Sequence, residues 1–321
     1  MRARQALAIA VSVVVTLAAC SAAPAAPSTK GPIKIGVIES LQGTFATVGK
    51  DHQDGFNLYL DSINSSVAGR TLEVTFVDDT QKPDVGLAKA KQLVEANGVQ
   101  FLAGVHFSPV CVALAQYAHD TGIPLLFTGN CPNQNLVVDP KAKADNVMRF
   151  SEFATQVQDP TADWMIKQGI TKAITFTNES VGGLELSDAF ASDYIKRGGT
   201  IVQELSAPIG TTDFGPYLAQ INQSADAIVL NIPGADAQRF AQLYANYAGK
   251  KAKLIGTLTS INAGYNIQQL KDLVVGVIGV DIYCECYDSP TNKKFLDAFH
   301  AKYPARVVST DAAQGYAGAQ I

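Results

Sequence analysis

The sequence predicts an α/β protein built as two lobes, each a parallel sheet covered by helices on both faces. Short β-rich runs alternate with amphipathic helical segments from residue 33 onward, an order that implies parallel sheets. The same rhythm starts again after residue 150 without a long linker. At 321 residues and 47% hydrophobic, the chain is too long for one small core and suits about two domains.

The first half predicts four strands and three intervening helices. The strands are short and apolar, and read IKIGVIES, TLEVTFVDD, VQFLAGV and IPLLF. The helices carry apolar residues at helical spacing, and cover Gly49–Ile63, VGLAKAKQLVEANG and Val110–Thr121. Gly98 ends the second of them, as glycine commonly ends helices.

The second half repeats the alternation. Its predicted helices are Pro160–Gln168, Leu184–Arg197, Tyr217–Gln223 and Ala235–Tyr247. Its predicted strands are KAITFTN, TIVQELS, ADAIVLNI, AKLIG and VVGVIGVDIY. These units either extend one large sheet or form a second domain, and their length favours a separate domain. Two further helices, NKKFLDAFHAKYP and DAAQGYAGAQI, follow. The last has no closing cap, so we expect the sequence to be cut short there.

The N-terminus predicts export. Arg2 and Arg4 precede the apolar run ALAIAVSVVVTLAA, which is too short to span a bilayer. The run ends in LAAC, which resembles a bacterial lipobox with Cys20 as the lipidated residue. The alternative is an ordinary signal peptide with an incidental cysteine. We therefore expect a lipoprotein signal peptide at residues 1–20 and a Pro-rich flexible tether at 21–32.

Composition and motifs argue against several other functions. A net charge of −4 and a pI near 5.6 argue against nucleic-acid binding. GxSxG, HExxH, Walker and Rossmann-glycine motifs are missing, so no enzymatic activity and no cofactor are predicted. The adjacent carboxylates Asp78 and Asp79 are expected to point apart at a strand end. The four histidines are scattered and no CxxC occurs, so no metal site is predicted.

Small, polar or aromatic residues follow three of the predicted strands, in ESLQGTF, HFSPVC and TGNC. Ligands of open parallel sheets bind at this edge, outside the carboxyl ends of the strands. Ser108 suits a helix N-cap and Pro109 suits the first turn, so the helix would direct free N–H groups at a carboxylate. The alternative is that Ser108 only caps its helix while Phe107 fills the core.

The order of these segments resembles the type I periplasmic solute-binding proteins of ABC transporters, in particular the Leu/Ile/Val-binding group. The resemblance runs from residue 33 to the end. It is carried by IKIGVIESLQGTFATVGKDHQDGFNLYLDSIN, GRTLEVTFVDDTQKPDVGLAKAKQLV, GVHFSPVCVALAQYAHDTGIPLLFTG and TTDFGPYLAQINQSADAIVLNIPGADAQRFAQLY. It implies two Rossmann-like lobes joined by a hinge, with residues 33–150 plus 281–321 in one lobe and 151–280 in the other.

The resemblance also implies site residues. In the family, a serine and a threonine of the first lobe hold the ligand carboxylate, and these positions carry Ser108 and Cys131 here. Cysteine is a weaker donor than a hydroxyl. The second-lobe tyrosine position carries Val181, and the position of the acidic group that holds a ligand ammonium carries Leu258 and Thr259.

A carboxylate ligand with an apolar or aromatic body therefore fits the predicted site at least as well as an α-amino acid. Glu179 or Asp311 would have to replace the missing acid, although neither lies at the motif position. The full set of predicted ligand-binding residues is Thr44, Phe45, Phe107, Ser108, Asn130, Cys131, Glu179, Val181, Pro233 and Thr259.

The remaining cysteines allow three pairings. Cys111 falls in the first turn of a helix and Cys131 in the loop after the neighbouring strand, which predicts a disulfide between them. Cys284 and Cys286 lie two residues apart on an extended run, where a direct bond would be strained. The sequence leaves two alternatives for these cysteines, which are two free thiols or a cysteine pair beside the cleft.

The resemblance implies the solute-binding component of an ABC importer that captures a branched-chain or other amino acid, or an aromatic or aliphatic acid. The implied partners are the permease and, through the anchor, the membrane. We expect a monomer in the periplasm or on the outer face of the cell membrane. The alternative is a ligand-sensing ectodomain of a receptor that uses the same fold.

Overall fold

The computed structural model describes residues 31–132, 145–258 and 260–321. The predicted signal peptide with Cys20, most of the tether, and Thr259 lie outside the described residues. Among the residues described, no helix is both long and apolar enough to cross a membrane.

The first sheet has six strands in the order β2-β3-β1-β4-β5-β6. The strands are β1 (Ile33–Glu39), β2 (Ser66–Val67), β3 (Arg70–Asp78), β4 (Phe101–Gly104), β5 (Leu125–Phe127) and β6 (Val147–Arg149). All pairs are parallel except β2 with β3, which form a short antiparallel hairpin. Adjacent residues of a strand face opposite sides, and Val37 and Ile38 are both fully buried, so β1 is covered on both faces.

Five helices pack on this sheet or beside it. They are α1 (Ala46–Ser62), α2 (Pro83–Lys91), α3 (Ser108–Thr121) and, from the end of the chain, α9 (Pro290–Lys302) and α10 (Thr310–Gly318). Helices α1 and α10 approach closely at two glycines, because a Cβ on Gly55 would overlap the Ala312 carbonyl and one on Gly315 would overlap the His52 carbonyl. Glycine at both points lets the two backbones touch.

The second sheet has five parallel strands in the order β11-β10-β9-β7-β8. They are β7 (Lys172–Asn178), β8 (Thr200–Ala207), β9 (Ala227–Asn231), β10 (Lys253–Thr257) and β11 (Ile278–Val280). The helices of this half are α4 (Ala154–Lys167), α5 (Val181–Lys196), α6 (Gly215–Leu218), α7 (Gly234–Ala245) and α8 (Gly264–Leu270).

The two sheets confirm the predicted α/β class with parallel strands, and they are separate sheets rather than one extended sheet. The chain passes from the first sheet to the second between β6 and α4, and α9 and α10 follow β11. The division into lobes at residues 150 and 281 stays a prediction.

Helix α4 begins six residues earlier than predicted. The predicted helix covered Pro160–Gln168. The structure begins it at Ala154 and keeps Pro160 inside. The Gln156 side chain accepts a hydrogen bond from the Phe153 N–H at 2.7 Å, so the N-terminus is closed one and a half turns earlier.

The structure joins Cys111 in α3 to Cys131 after β5, with 5.8 Å between their α-carbons. It also bonds Cys284 directly to Cys286. The sequence analysis expected such a direct bond to be strained and left free thiols or a pair beside the cleft as the alternatives for these two cysteines. Consequently the Cys131 sulfur has no proton, and Cys131 cannot take the donor role that the family motif assigns to its threonine.

Replacing both Cys111 and Cys131 by serine is expected to lower the free energy of unfolding by about 3 kcal/mol, because the bond closes a loop of 20 residues. Urea unfolding of the oxidised protein measures this loss. The matched control replaces Cys284 and Cys286, which close a loop of only 2 residues, and should cost less. Equal losses in the two double variants would contradict the loop-length argument.

Candidate ligand-binding cleft

A cavity of about 80 Å³ lies where the carboxyl ends of the two sheets face each other. Its first-sheet side comes from the segments after β1, β4, β5 and β6, and its second-sheet side from the segments after β7, β9 and β10. This is the edge at which open parallel sheets bind ligands. The residues that line it include Phe45, His106, Ser108, Asn130, Cys131, Arg149, Glu152, Asn178, Gly182, Glu185, Leu186, Asn231, Ile232, Pro233, Thr257 and Leu258.

Arg149, the last residue of β6, brings a positive charge into the cavity wall. Its Nε donates to the Ser151 carbonyl at 3.2 Å and to the Ser151 hydroxyl at 3.1 Å, and its Nη2 donates to the Glu152 carbonyl. Its guanidinium also lies 5.0 Å from the centre of the Phe153 ring. These contacts fix the plane of the guanidinium.

The remaining nitrogen of Arg149, Nη1, is buried and has no hydrogen-bond partner within the part of the chain that the structure describes. Burial lowers the pKa of Arg149, against the opposing effect of the Glu152 and Glu185 carboxylates. A guanidinium nevertheless stays protonated in proteins. An unpaired donor on a buried cation is costly, and an anion placed on Nη1 would remove that cost.

Ser108 lines the cavity, but its role in the helix differs from the prediction. The N-cap of α3 is Phe107, and Ser108 is the first helical residue with no capping bond from its side chain. The N–H groups of Val110 and Cys111 already donate to the Phe107 carbonyl, and Pro109 has none. The predicted carboxylate site on the helix amides is therefore mostly occupied, and the Ser108 hydroxyl is the group that α3 offers to the cavity.

Two other predicted residues form one aromatic pair. Phe45 lines the cavity, and Phe107 packs edge-to-face behind it with ring centres 5.7 Å apart. Both rings belong to the hydrophobic cluster that packs against β1, β4 and β5. Phe107 thus supports Phe45 rather than lining the cavity itself.

The structure separates the rest of the predicted set. Asn130, Cys131 and Pro233 line the cavity. Thr44 is buried at the contact between the two halves of the chain, and Glu179 and Val181 are exposed. These last three do not line the cavity, because Thr44 faces Asp236 and the cavity wall on α5 begins at Gly182.

Glu152 is a buried carboxylate in the cavity wall that the sequence analysis missed. Gln314 Nε2 donates to its Oε2 at 2.6 Å, and the Asn130 amide, turned so that its nitrogen faces the acid, donates to its Oε1 at 2.7 Å. Burial raises the pKa of Glu152, although the Arg149 charge opposes that rise.

His106 is a second residue that was missed, and it belongs to a buried network. Its Nδ1 lies 3.2 Å from one oxygen of Glu39, and His52 Nδ1 lies 2.7 Å from the other. Burial raises the pKa of Glu39, but His52 and His106 outweigh it and bring the pKa to about 2. Candidate ligand atoms of these three residues lie within 4.8 Å of one another, which is the spacing of a metal site. The contact between His106 Nδ1 and Glu39 holds His106 in the cavity wall, and His52 holds the other oxygen of Glu39.

The second-sheet side of the cavity is polar and neutral at its strand ends. Asn178 ends β7, Asn231 ends β9 and Thr257 ends β10. The Asn231 Oδ1 accepts from Gln158 Nε2 at 3.0 Å and from the Thr257 hydroxyl. No pattern in the sequence distinguishes these residues from ordinary strand-end residues.

The two halves of the chain touch across the cleft. A Cβ on Gly182 of α5 would overlap the Ser108 hydroxyl, and one on Gly234 of α7 would overlap the Thr44 carbonyl. Thr44 Oγ1 also donates to Asp236 Oδ1 at 3.3 Å. These contacts show the cleft in a closed arrangement.

Comparisons with known proteins agree with this architecture. Leu/Ile/Val-binding protein homolog 6 of Brucella melitensis is 28% identical over 272 residues, which are 83% of this chain and 68% of the relative. An ABC-transporter solute-binding protein of R. palustris, solved with benzoate, superposes with a TM-score of 0.82 at 26% identity, covering 90% of this chain and 79% of its own. A solute-binding protein of an ABC transporter from Rhodopseudomonas palustris HaA2, solved with p-hydroxybenzoic acid, superposes with a TM-score of 0.82 at 26% identity. The match covers 90% of this chain and 78% of the other.

The sequence pattern of the family described as periplasmic binding protein matches residues 32–321. That range includes both sheets and every residue described around the cleft. The chain therefore belongs to the periplasmic binding protein family, as the solute-binding component of an ABC transporter.

Proposed function

We propose that the protein captures a small organic acid without an α-ammonium group, and that Arg149 and Ser108 hold the acid's carboxylate. The observation that carries the proposal is the buried, unpartnered Nη1 of Arg149 in the cavity wall. A carboxylate placed there completes the hydrogen bonding of the guanidinium, and the Ser108 hydroxyl can donate to the same anion.

The opposite wall supports an apolar body rather than an ammonium group. Asn178, Asn231 and Thr257 are neutral, and both oxygens of Glu152 already accept from amides. Phe45, Leu186, Ile232 and Leu258 supply apolar surface to the cavity. The strand ends of this wall therefore offer an ammonium ion no ionised partner, and an unpaired ammonium ion is costly to bury.

The comparisons support an aromatic acid as the solute, and they also indicate the main alternative, a branched-chain amino acid. Two solved relatives at 26% identity hold benzoate and p-hydroxybenzoic acid. The curated relative at 28% identity is named for leucine, isoleucine and valine. The unpaired nitrogen of Arg149 and the neutral strand ends of the opposite wall favour the first group of solutes.

We further propose how the protein acts in the cell. It is exported, anchored through Cys20 on a tether of residues 21–32, and works as a monomer without catalytic activity. The lobes close over the solute and the closed form docks on the permease. Closure is then a hinge movement whose equilibrium the solute shifts.

Thermal unfolding with four small molecules tests the solute class. We expect benzoate to raise the melting temperature by about 5 °C at a hundredfold excess over Kd, because binding stabilises only the folded protein. Benzamide is the matched control, since it keeps the ring without the charge and should give almost no shift. Cyclohexanecarboxylate should behave like benzoate. A larger shift with L-leucine, or an equal shift with benzamide, would contradict the proposal.

A further inference from the structure

Glu152 places an acid beside the proposed anion site. Glu152 and Arg149 line the same cavity, and Glu152 lies three positions after Arg149 in the chain. Arg149 binds the backbone carbonyl of Glu152 rather than its carboxylate. The carboxylate instead accepts hydrogen bonds from the Gln314 and Asn130 amides. Arg149 Nη1 therefore has no partner, although the positive charge of Arg149 still acts on the Glu152 carboxylate.

The charged groups around Glu152 are mostly acids. The Glu152 charge helps to raise the pKa of Asp281, after β11, and of Asp311, in α10. The Glu185 carboxylate of α5, like that of Glu152, acts on Arg149 and favours its charged form. His106, in the same wall, is held by Glu39, and burial lowers its pKa. Burial likewise raises the pKa of Glu152 in the free protein. Arg149 thus interacts with two carboxyl groups, Glu152 and Glu185, and Glu152 itself lies near two further acids, Asp281 and Asp311.

A bound solute would add another carboxylate to this cavity. Two carboxylates that share one site with one cation do not both stay ionised, and one of them takes a proton at a higher pH than usual. The solute would lie on the unpaired nitrogen of Arg149, so it keeps its charge. Glu152 is then the group that is neutralised.

We propose that Glu152 takes up one proton from solvent when an anionic solute is captured, so that capture becomes tighter as the pH falls. The proposal rests on the proposed function, because it requires the solute to be an anion on Arg149. In the step, the Glu152 carboxylate gains a proton to become a carboxylic acid, and the solute carboxylate is unchanged. The Asn130 amide can satisfy either form, because turning it presents its oxygen to the acid or its nitrogen to the carboxylate.

The direction of the pH dependence follows from linkage. The pKa of Glu152 is higher in the complex than in the free protein, so between those two values binding takes up a proton. Affinity then falls as the pH rises through that window, by up to about tenfold per pH unit for one full proton. A solute carboxyl group with a pKa of about 4 stays ionised above pH 5.5 and does not add to this slope.

Isothermal titration calorimetry with benzoate tests the proposal. Titrations of the wild-type protein in two buffers of different ionisation enthalpy, at half-unit steps from pH 5.5 to 8.5, count the protons taken up and give Kd. We expect proton uptake approaching one at its maximum and a Kd that rises with pH in the same range. Glu152→Gln should show no uptake, a flat Kd and tighter binding than the wild type at pH 8.5. Glu204→Gln changes an exposed residue of β8 outside the cavity lining, so it is the matched control and should keep the wild-type slope. Asp281→Asn tests whether that neighbouring acid takes the proton instead.

The outcomes separate this proposal from the one on which it rests. Benzoate that binds without proton exchange across the whole range overturns the role of Glu152 and leaves the solute class standing. A slope that survives in Glu152→Gln but disappears in Asp281→Asn also overturns it. Failure of both benzoate and cyclohexanecarboxylate to bind overturns both proposals. The wild-type proton count needs no variant, so it decides the matter even if Glu152→Gln fails to fold.

Discussion

Replacing Arg149 by methionine is expected to weaken benzoate binding by about 100-fold or more. The change removes the buried cation that the solute carboxylate needs, and losing one partner of a buried charge pair costs about 2 to 5 kcal/mol. Methionine keeps an unbranched apolar stem beside Phe153, so the wall remains filled. Calorimetric titration with benzoate measures the loss.

Two further variants make the Arg149 result interpretable. Arg149→Lys keeps the charge but loses the planar fork, so it should recover part of the affinity. Arg197→Met is the matched control, because Arg197 pairs with Asp159 on the surface of the second half and is remote from the cavity lining. Binding that survives in Arg149→Met with less than a threefold loss would show that the carboxylate lies elsewhere.

Replacing Gly182 by valine is expected to leave the fold intact and weaken benzoate binding by about 100-fold or more. A side chain at this position overlaps the Ser108 hydroxyl across the cleft, so the closed arrangement becomes strained while the open one does not. Overpacking a tight contact costs about 1 to 3 kcal/mol, and the valine also fills part of the solute's space. Titration calorimetry gives the affinity, and small-angle scattering with and without benzoate reports closure.

The neighbouring residue provides the control for this variant. Val181→Ala changes the first residue of α5, which is 39% exposed and outside the cavity lining, and should leave affinity and closure unchanged. The melting temperature of Gly182→Val without solute should stay close to that of the wild type. Normal closure in Gly182→Val would contradict the closed contact between Gly182 and Ser108.

The fold was predictable because parallel strands buried on both faces are continuous apolar runs. KAITFTN and ADAIVLNI, for example, contain β7 and β9. Strands β2 and β6 were missed because segments of two or three residues are too short to show a periodic pattern. Pro160 misplaced a helix start because the preceding turn is closed by Gln156, a side chain whose role becomes visible only in three dimensions.

The site was predictable only where a local signal exists. Ser108 followed from a serine and proline at a strand end, and Phe45 from the loop after β1. Arg149 and Glu152 carry no such signal, since they flank the crossing between the sheets and reach the cavity only because that crossing passes its edge. Cys131 was assigned by family position, and its disulfide to Cys111 removes the proton that this role requires.

The central claim is that an organic acid is held by its carboxylate between the two sheets. A crystal structure of the complex with benzoate tests it most directly. The account predicts the carboxylate about 3 Å from Arg149 Nη1 and from the Ser108 hydroxyl, with the ring against Phe45. A benzoate carboxylate directed away from Arg149, or a solute bound outside the cavity between the sheets, would contradict it.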